Sequence, residues 1–503
     1  MGVVLKQTSA NIITISLALI IGGFNTLYFY PEFLKEEYYG LVVFLLATSN
    51  LLQPIMSLGA QHTIIKFYSS FKIKDYRDRF MSSILFIPLI VIIPITFLVV
   101  EFHDNLAAFL SMQNPIIESY VWVIFLVAFA TSYFEVFYAW SRVQLKSIFG
   151  NALKEIFPRI SVLCLLFLVS LQVISKTEFV WWLTGLYYLR LIIMIVYSLS
   201  LYTPKFSITL PENFKEIMSY SVYILLAGSA ASLLIDIDKY MIPQKEAIAQ
   251  TAYYAVAVFI ATVVEIPGRA MFQIVNPLVA KFLNENNINE LNKLYMNSSI
   301  NLLIIAGLFF LLININIGPF YDLMSNPSYG DAFWVVLMIS VSKLILMSFG
   351  CGPAILATAN FYKITLPFSI LMAISVYFLN DYLIDIYSIN GAALSTLIVV
   401  TLFTLIKVLY INFKLKIIPY SFQSLKVFLI ILFVFLLFAD NDGDGRLIYS
   451  FFKESIHDFS NIVQILLNSS LVFTFYVLII YKSKSSETIN FFIAKLLGKK
   501  FRG

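Results

Sequence analysis

SSINLLIIAGLFFLLININIG, residues 298–318, contains no charged side chain. At a rise of 1.5 Å per residue a helix of this length covers about 30 Å, the thickness of the hydrocarbon core of a bilayer. Thirteen further stretches pass the same test: 10–29, 40–58, 82–100, 117–139, 157–174, 179–199, 219–236, 251–279, 332–357, 364–380, 389–411, 425–439 and 462–481. The chain therefore reads as an all-α polytopic membrane protein of about fourteen transmembrane helices. Composition agrees, because 60% hydrophobic with 13% charged residues cannot clothe soluble globules. A transmembrane barrel would show short alternating strands instead.

Basic residues fix the sidedness. Of the 34 Lys and Arg residues, the N-terminus, the even-numbered gaps and the tail hold twenty-four, whereas the odd-numbered gaps hold six. The positive-inside rule places both termini in the cytoplasm. The first segment reads as a retained span, since no small-residue cleavage site and polar mature domain follow it. Cys164 and Cys351 fit packing positions better than a disulfide or a metal site. The net charge of +5 suits loops facing anionic lipid and calls for no nucleic-acid partner. The gaps are too short for a folded catalytic domain, so any chemistry belongs inside the helices.

The chain echoes itself. Tyr38-Tyr39-Gly40 followed by Val43-Phe44 recurs as Tyr253-Tyr254-Ala255 followed by Val258-Phe259; Ser82-Ser83-Ile84 recurs as Ser298-Ser299-Ile300; and Trp122-Val123 recurs as Trp334-Val335. All three offsets lie between 212 and 216 and map span n onto span n+6. Six is even, so the two halves keep one orientation and are related by an axis along the membrane normal. The expected organisation is two parallel six-helix lobes, residues 1–212 and 213–420, followed by two C-terminal helices and a basic tail, residues 421–503. Transporters of that design hold substrate between the lobes.

Charges stranded in apolar spans carry the functional signal, since an unpaired charge at mid-bilayer costs several kcal/mol. Arg190 and Lys343 each lie about twelve residues into a span. They line a cavity that draws in a phosphate, or they belong to structural ion pairs or snorkel toward the interface. Arg269 follows Glu265 at the i+4 spacing of an intrahelical salt bridge, with substrate contact as the alternative. Lys66 is an interfacial anchor or a vestibule charge. Glu135 pairs with Arg142 or binds a coupling cation. In Leu234-Ile235-Asp236-Ile237-Asp238-Lys239 the Asp-x-Asp pattern also occurs as the metal site of glycosyltransferases, but here it ends an apolar helix beside a Lys, which favours ion pairing or cation coupling. Asp440-Asn441-Asp442-Gly443-Asp444-Gly445 begins like a calcium loop with Asp440, Asp442 and Asp444 as ligands, yet position 12 is Phe451, so an Asp/Gly turn is the plainer reading.

Several of these residues form a resemblance. Glu36-Glu37-Tyr38-Tyr39-Gly40, Ser57-Leu58-Gly59-Ala60 and Ile64-Ile65-Lys66-Phe67 look like the first two helices of polysaccharide repeat-unit flippases. Ile235-Asp236-Ile237-Asp238-Lys239-Tyr240, Tyr253-Tyr254-Ala255-Val256-Ala257 and Ile266-Pro267 are similar to that family's seventh and eighth helices, and Asn390-Gly391-Ala392-Ala393-Leu394-Ser395-Thr396 resembles the opening of its twelfth. The resemblance covers about residues 8 to 420. It implies the multidrug/oligosaccharidyl-lipid/polysaccharide exporter fold. It also implies a Wzx-type activity in a bacterial cytoplasmic membrane, flipping an undecaprenyl-diphosphate-linked O-antigen or capsule unit. H+ or Na+, and a polysaccharide polymerase with its chain-length machinery, are implied partners. Lys66 and the block from Asp236 to Lys239 match polar points of the pattern; Lys66 stands where many relatives carry Arg. Arg190 and Lys343 match no motif and rest on physics.

Alternating access between the lobes is the expected mechanism. No G-x-x-x-x-G-K-[ST] sequence occurs, so an ion gradient, the membrane potential or product consumption supplies the energy, and no cofactor is expected. The rivals are a cation-coupled multidrug antiporter, which predicts a carboxylate-rich cavity, and a membrane glycosyltransferase or polymerase, which predicts a long outer loop rich in Asp, Arg or His.

Overall fold

The computed structural model describes residues 2–207, 209–439 and 460–496, and every regular element among them is helical. The chain divides into two compact units, residues 1–255 and 256–503. Unit 1 contains α1 (Gly2–Phe24), α2 (Lys35–Ser57), α3 (Ala60–Phe67), α4 (Lys74–Phe86), α5 (Leu89–Glu101), α6 (His103–Ser111), α7 (Val121–Val143), α8 (Ser147–Glu155), α9 (Phe157–Ser170), α10 (Lys176–Leu201) and α11 (Phe214–Lys245). The division falls inside α12 (Ile248–Thr262). Unit 2 continues with α13 (Ile266–Asn284), α14 (Ile288–Tyr321), α15 (Phe333–Ser348), α16 (Gly352–Thr358), α17 (Thr365–Leu415), α18 (Phe422–Phe438), α19 (Asn461–Ser483) and α20 (Glu487–Leu496).

Helix occupies most of each of the fourteen apolar stretches, with turns at 87–88, 171–174 and 349–351. Among the described residues nine segments are long and apolar enough to cross a membrane, and two of these each hold a reversal. Between α1 and α2 a π-helical stretch containing Pro31 runs into Lys35 at φ 62°, and the chain doubles back so that Tyr30 and Tyr39 stack 4.6 Å apart. Within α17 the break is Ser388 at φ 52°, ψ −135°. Past it the two arms run antiparallel: Ser395 Oγ reaches Val376 O at 3.4 Å and Lys407 Nζ reaches Met372 Sδ at 3.2 Å. Gly391 is required there, because a Cβ would sit 2.0 Å from the Leu383 carbonyl oxygen. The Asn390-Gly391-Ala392-Ala393 block is thus the close-packed start of the second arm.

In unit 1 the core gathers Phe80, Phe134, Trp140 and Met194 from α4, α7 and α10. α2 lies against both α7 and α11. It ends in two left-handed residues, Leu58 (φ 45°) and Gly59 (φ 68°). A Cβ on Gly59 would come within 2.5 Å of Ile224 Cγ2, so the glycine serves both the turn and the seating of α11. Thr63 and Ser221 join their hydroxyls at 2.7 Å across the same seam.

In unit 2, α14 is the central helix, packed on α13, α15, α18 and α19. Polar ties run along its length. Asn314 Nδ2 donates to Ser340 Oγ at 2.9 Å, Asn316 Nδ2 to Ser469 Oγ at 3.1 Å, Ser486 Oγ to Asn301 Oδ1 at 2.6 Å, and Tyr476 OH to the Ile304 carbonyl at 2.9 Å. Elsewhere large apolar side chains face outward, among them Ile93 and Phe97 on α5 and Leu429 and Phe433 on α18. Such surfaces suit lipid rather than water. Cys351 is buried; Cys164, expected at a packing position, is exposed because its side of α9 faces outward.

Candidate functional site

Three charged loci sit inside apolar helices, two in unit 1 and one in unit 2. The first centres on Arg190 in α10, 5% exposed. Its guanidinium lies 4.3 Å from the Phe134 ring centre and 4.7 Å from that of Tyr187. Aromatic faces hold a cation in place without neutralising it. Among the described residues Arg190 forms no ion pair, and its buried Nε has no hydrogen-bond partner. On the next face of α7, Glu135 pairs with Lys154 of α8 at 2.6 Å. The expected partner, Arg142, instead sits over the Tyr138 ring at 5.6 Å. Lys154 could not be found from helix spacing because it arrives on the following helix. Lys66, exposed on α3, places its Nζ 3.7 Å from the Tyr220 ring centre, a cation–π contact that anchors α3 to α11.

The second locus lies where α2 meets α11. Asp236 and Asp238 are 7% and 5% exposed. Asp236 accepts from Lys239 Nζ at 2.9 Å and from Asn50 Nδ2 at 3.2 Å, whereas Asp238 accepts from the Tyr254 hydroxyl. The two carboxylates thus serve different partners rather than converging. Asn114 fixes the α11–α12 turn, donating to the Pro243 and Glu246 carbonyls at 2.7 and 2.8 Å and accepting from Ile248 N–H at 2.8 Å. Asn50, Tyr254 and Asn114 lie far in sequence from the groups they serve, and being uncharged they carried no hydropathy signal.

The third locus is in unit 2. Glu265, in the 3-10 turn before α13, holds Arg269 at 2.7 Å through Oε1 and Lys343 of α15 at 2.9 Å through Oε2. The i+4 bridge expected from sequence is present. Lys343, read from sequence as a cavity-lining base or a member of a structural ion pair, is paired across helices with Glu265. Two cations share one carboxylate, so the cluster keeps one positive charge and stays partly open to its surroundings.

On the cytoplasmic side of the proposed topology, the Tyr202 hydroxyl donates to Asp78 Oδ1, and Arg77 lies 5.5 Å from the Tyr68 and Tyr202 rings. Burial, reinforced by the Asp78 hydrogen bond, pushes the Tyr202 hydroxyl up to about 12. Among the described residues no three His, Cys, Asp or Glu side chains group to hold a metal. The candidate calcium loop of Asp440, Asp442 and Asp444 lies outside the described residues.

Apolar helices on this scale, with charges held inside them, define an all-helical multi-pass membrane protein. Among solved structures the fold is similar to "Lipid II flippase MurJ, inward closed conformation", with a TM-score of 0.68 and 15% identity over 94% of this chain and 99% of that one. It is also similar to an inward-facing "multidrug resistance MATE family transporter of the MOP superfamily" (TM-score 0.62, 13% identity, 81% of this chain, 98% of that one). A third likeness is to "MATE in the straight conformation" (TM-score 0.53, 14% identity, 81% and 93%). At such identities what is shared is the fold. No curated protein matches the chain in sequence. The chain belongs to the polysaccharide biosynthesis protein family, whose sequence signature matches residues 8–273.

Proposed function

We propose that this protein flips a lipid-diphosphate-linked glycan from the cytoplasmic to the outer leaflet by alternating access of residues 1–212 against residues 213–420. The observation that carries the reading is the Arg190 guanidinium, buried within an apolar helix without a salt bridge among the described residues and with its Nε unpaired. Leaving such a group in lipid costs several kcal/mol, and a packed apolar side chain would be better for stability alone. A diphosphate supplies the missing partner, and Arg is suited to it because its planar fork donates two parallel hydrogen bonds. Family membership and the fold shared with a lipid II flippase point the same way.

Lys343 and Arg269 add a second cationic point with Glu265 as its resident anion. An arriving phosphate or acidic sugar competes with Glu265 for both cations, so binding there is reversible by construction. Asp236, flanked by Lys239, ties α11 to Asn50 of α2, and Asp238 ties it to Tyr254 of α12; proton or Na+ entry at either carboxylate weakens its tie, which couples an ion to the cycle. In this reading undecaprenyl diphosphate is the carrier, the membrane is the bacterial cytoplasmic one, and a polymerase consumes the product. Arg190, a membrane-embedded base with no salt bridge among the described residues, favours an anionic headgroup over the cationic cargo of a drug antiporter.

The test is leaflet exchange of a lipid-diphosphate oligosaccharide in vesicles containing wild type, Arg190→Ala or Lys343→Ala. A loss of at least tenfold in Arg190→Ala is expected, equivalent to one lost charge-assisted hydrogen bond of about 1.5–3 kcal/mol. Unchanged exchange in both variants would refute the cationic site, and net glycan synthesis from a sugar donor would show an enzyme instead.

A further inference from the structure

α19 ends at Ser483, Lys484 turns the chain at φ 50°, and α20 starts at Glu487. α20 has 10 residues, about 15 Å, which is half of what a membrane crossing needs. Its inner face is tied down. Ser486 Oγ donates to Asn301 Oδ1 at 2.6 Å, Asn490 Nδ2 donates to the Tyr481 carbonyl at 3.1 Å, and Asn490 and Ala494 are buried. The opposite face, Thr488, Phe491, Phe492 and Lys495, follows the i, i+3, i+4, i+7 spacing of one helical stripe. On it Phe491 and Phe492 are 55% and 64% exposed. Lys482 and Lys484 are exposed at the helix junction.

We propose that α20 is an interfacial anchor that lays Phe491 and Phe492 at the boundary between headgroups and acyl chains and sets Lys482, Lys484 and Lys495 against anionic headgroups. Position selects this partner. A helix separated by three residues from a membrane-spanning one lies at the membrane surface, and two neighbouring aromatic rings flanked by lysines match the chemistry of that layer. Charge complementarity selects the lipid class, and the tail bearing these lysines is on the side that the basic-residue asymmetry places in the cytoplasm, where the leaflet is negative. Because Ser486 ties α20 to α14, docking also braces the central helix of unit 2. The proposal does not depend on what the protein transports.

The test uses the full chain with Cys164→Ser, so that Phe492→Cys is the accessible thiol, Cys351 being buried. An environment-sensitive fluorophore at residue 492 is read in vesicles of phosphatidylcholine with and without phosphatidylglycerol, using lipids brominated at different depths. Thr488→Cys on the same stripe serves as a second probe should the Phe492 variant fold poorly. The expected result is quenching greatest for bromines nearest the headgroup, increasing with the phosphatidylglycerol fraction and falling roughly fivefold in docking constant for each Lys→Gln change. A probe that stays water-like in every vesicle overturns the proposal. So does one shielded from both water and bromine, which would mean that protein covers the face, and so does equal quenching in neutral and anionic vesicles.

Discussion

Glu265 stands between two cations, and replacing it tests whether this cluster is coupled or merely adjacent. Its oxygens are 2.9 Å from Lys343 Nζ and 2.7 Å from the Arg269 guanidinium. At an effective dielectric of about 20, unit charges roughly 3 Å apart attract by about 5 kcal/mol. Stripping water from partly buried groups offsets most of that, leaving about 1–3 kcal/mol of coupling for Lys343 with Glu265. For Arg269, half exposed, the coupling is below about 1 kcal/mol. The measurement is a double-mutant cycle of Glu265→Gln, Lys343→Met and the double variant, followed by thermal unfolding in lipid-supplemented detergent. Each single variant should melt a few degrees below wild type. The double variant should melt no lower than the worse single one, because once one partner is gone the other has little left to lose. Strictly additive losses, with coupling under about 0.5 kcal/mol, would refute the reasoning.

Arg190→Met should leave the melting temperature unchanged or raise it, since a buried guanidinium with an orphaned Nε gives way to an apolar chain of similar length, while leaflet exchange falls at least tenfold; a large drop in stability would mark Arg190 as structural. Gly391→Ala should cost more than about 2 kcal/mol, read as loss of monodisperse protein, because its Cβ would meet the Leu383 carbonyl at 2.0 Å. Asp236→Ala should strand Lys239 and Asn50 and loosen the α2–α11 seam, seen as faster hydrogen exchange in Thr48–Ile55; unchanged exchange there would count against a latch. Tyr202 keeps its proton in the folded state up to about pH 12, while the unfolded chain loses it near 10. Its contribution is therefore complete below pH 10 and fades as pH rises toward 12, so alkaline melting should be less steep in Tyr202→Phe.

Helices were legible because lipid imposes one rule on every span, an unbroken apolar run of fixed length. The reversal at Ser388 was also readable, since Asn380, Asp381 and Asp385 interrupt that run just ahead of it. The bridge from Glu265 to Arg269 could be read because both lie on one local stretch. Lys343 was legible as an anomaly but not as a partner, because pairing it with Glu265 requires knowing which helices touch. Glu135 failed for the same reason: Arg142 lay on its own helix, but Lys154 had the better approach from α8. Asp236 and Asp238 read as one motif, yet a residue separation of two turns them to different faces of α11, toward Lys239 and Tyr254 respectively.

The polar ties along α14 bear on how unit 2 assembles. Between helices in lipid there is no hydrophobic drive, since a neighbouring helix is no less polar than an acyl chain, and each interhelical hydrogen bond contributes only about 0.6 kcal/mol. Taken singly, the bonds from Asn314, Asn316, Asn301 and Ile304 are weak glue. Sliding α19 along α14 by one turn, about 5.4 Å, would break those of Asn316, Asn301 and Ile304 together. They act as the teeth of a vernier: the bonds of Asn316, Asn301 and Ile304 select one alignment of α19 on α14, and that of Asn314 does the same for α15.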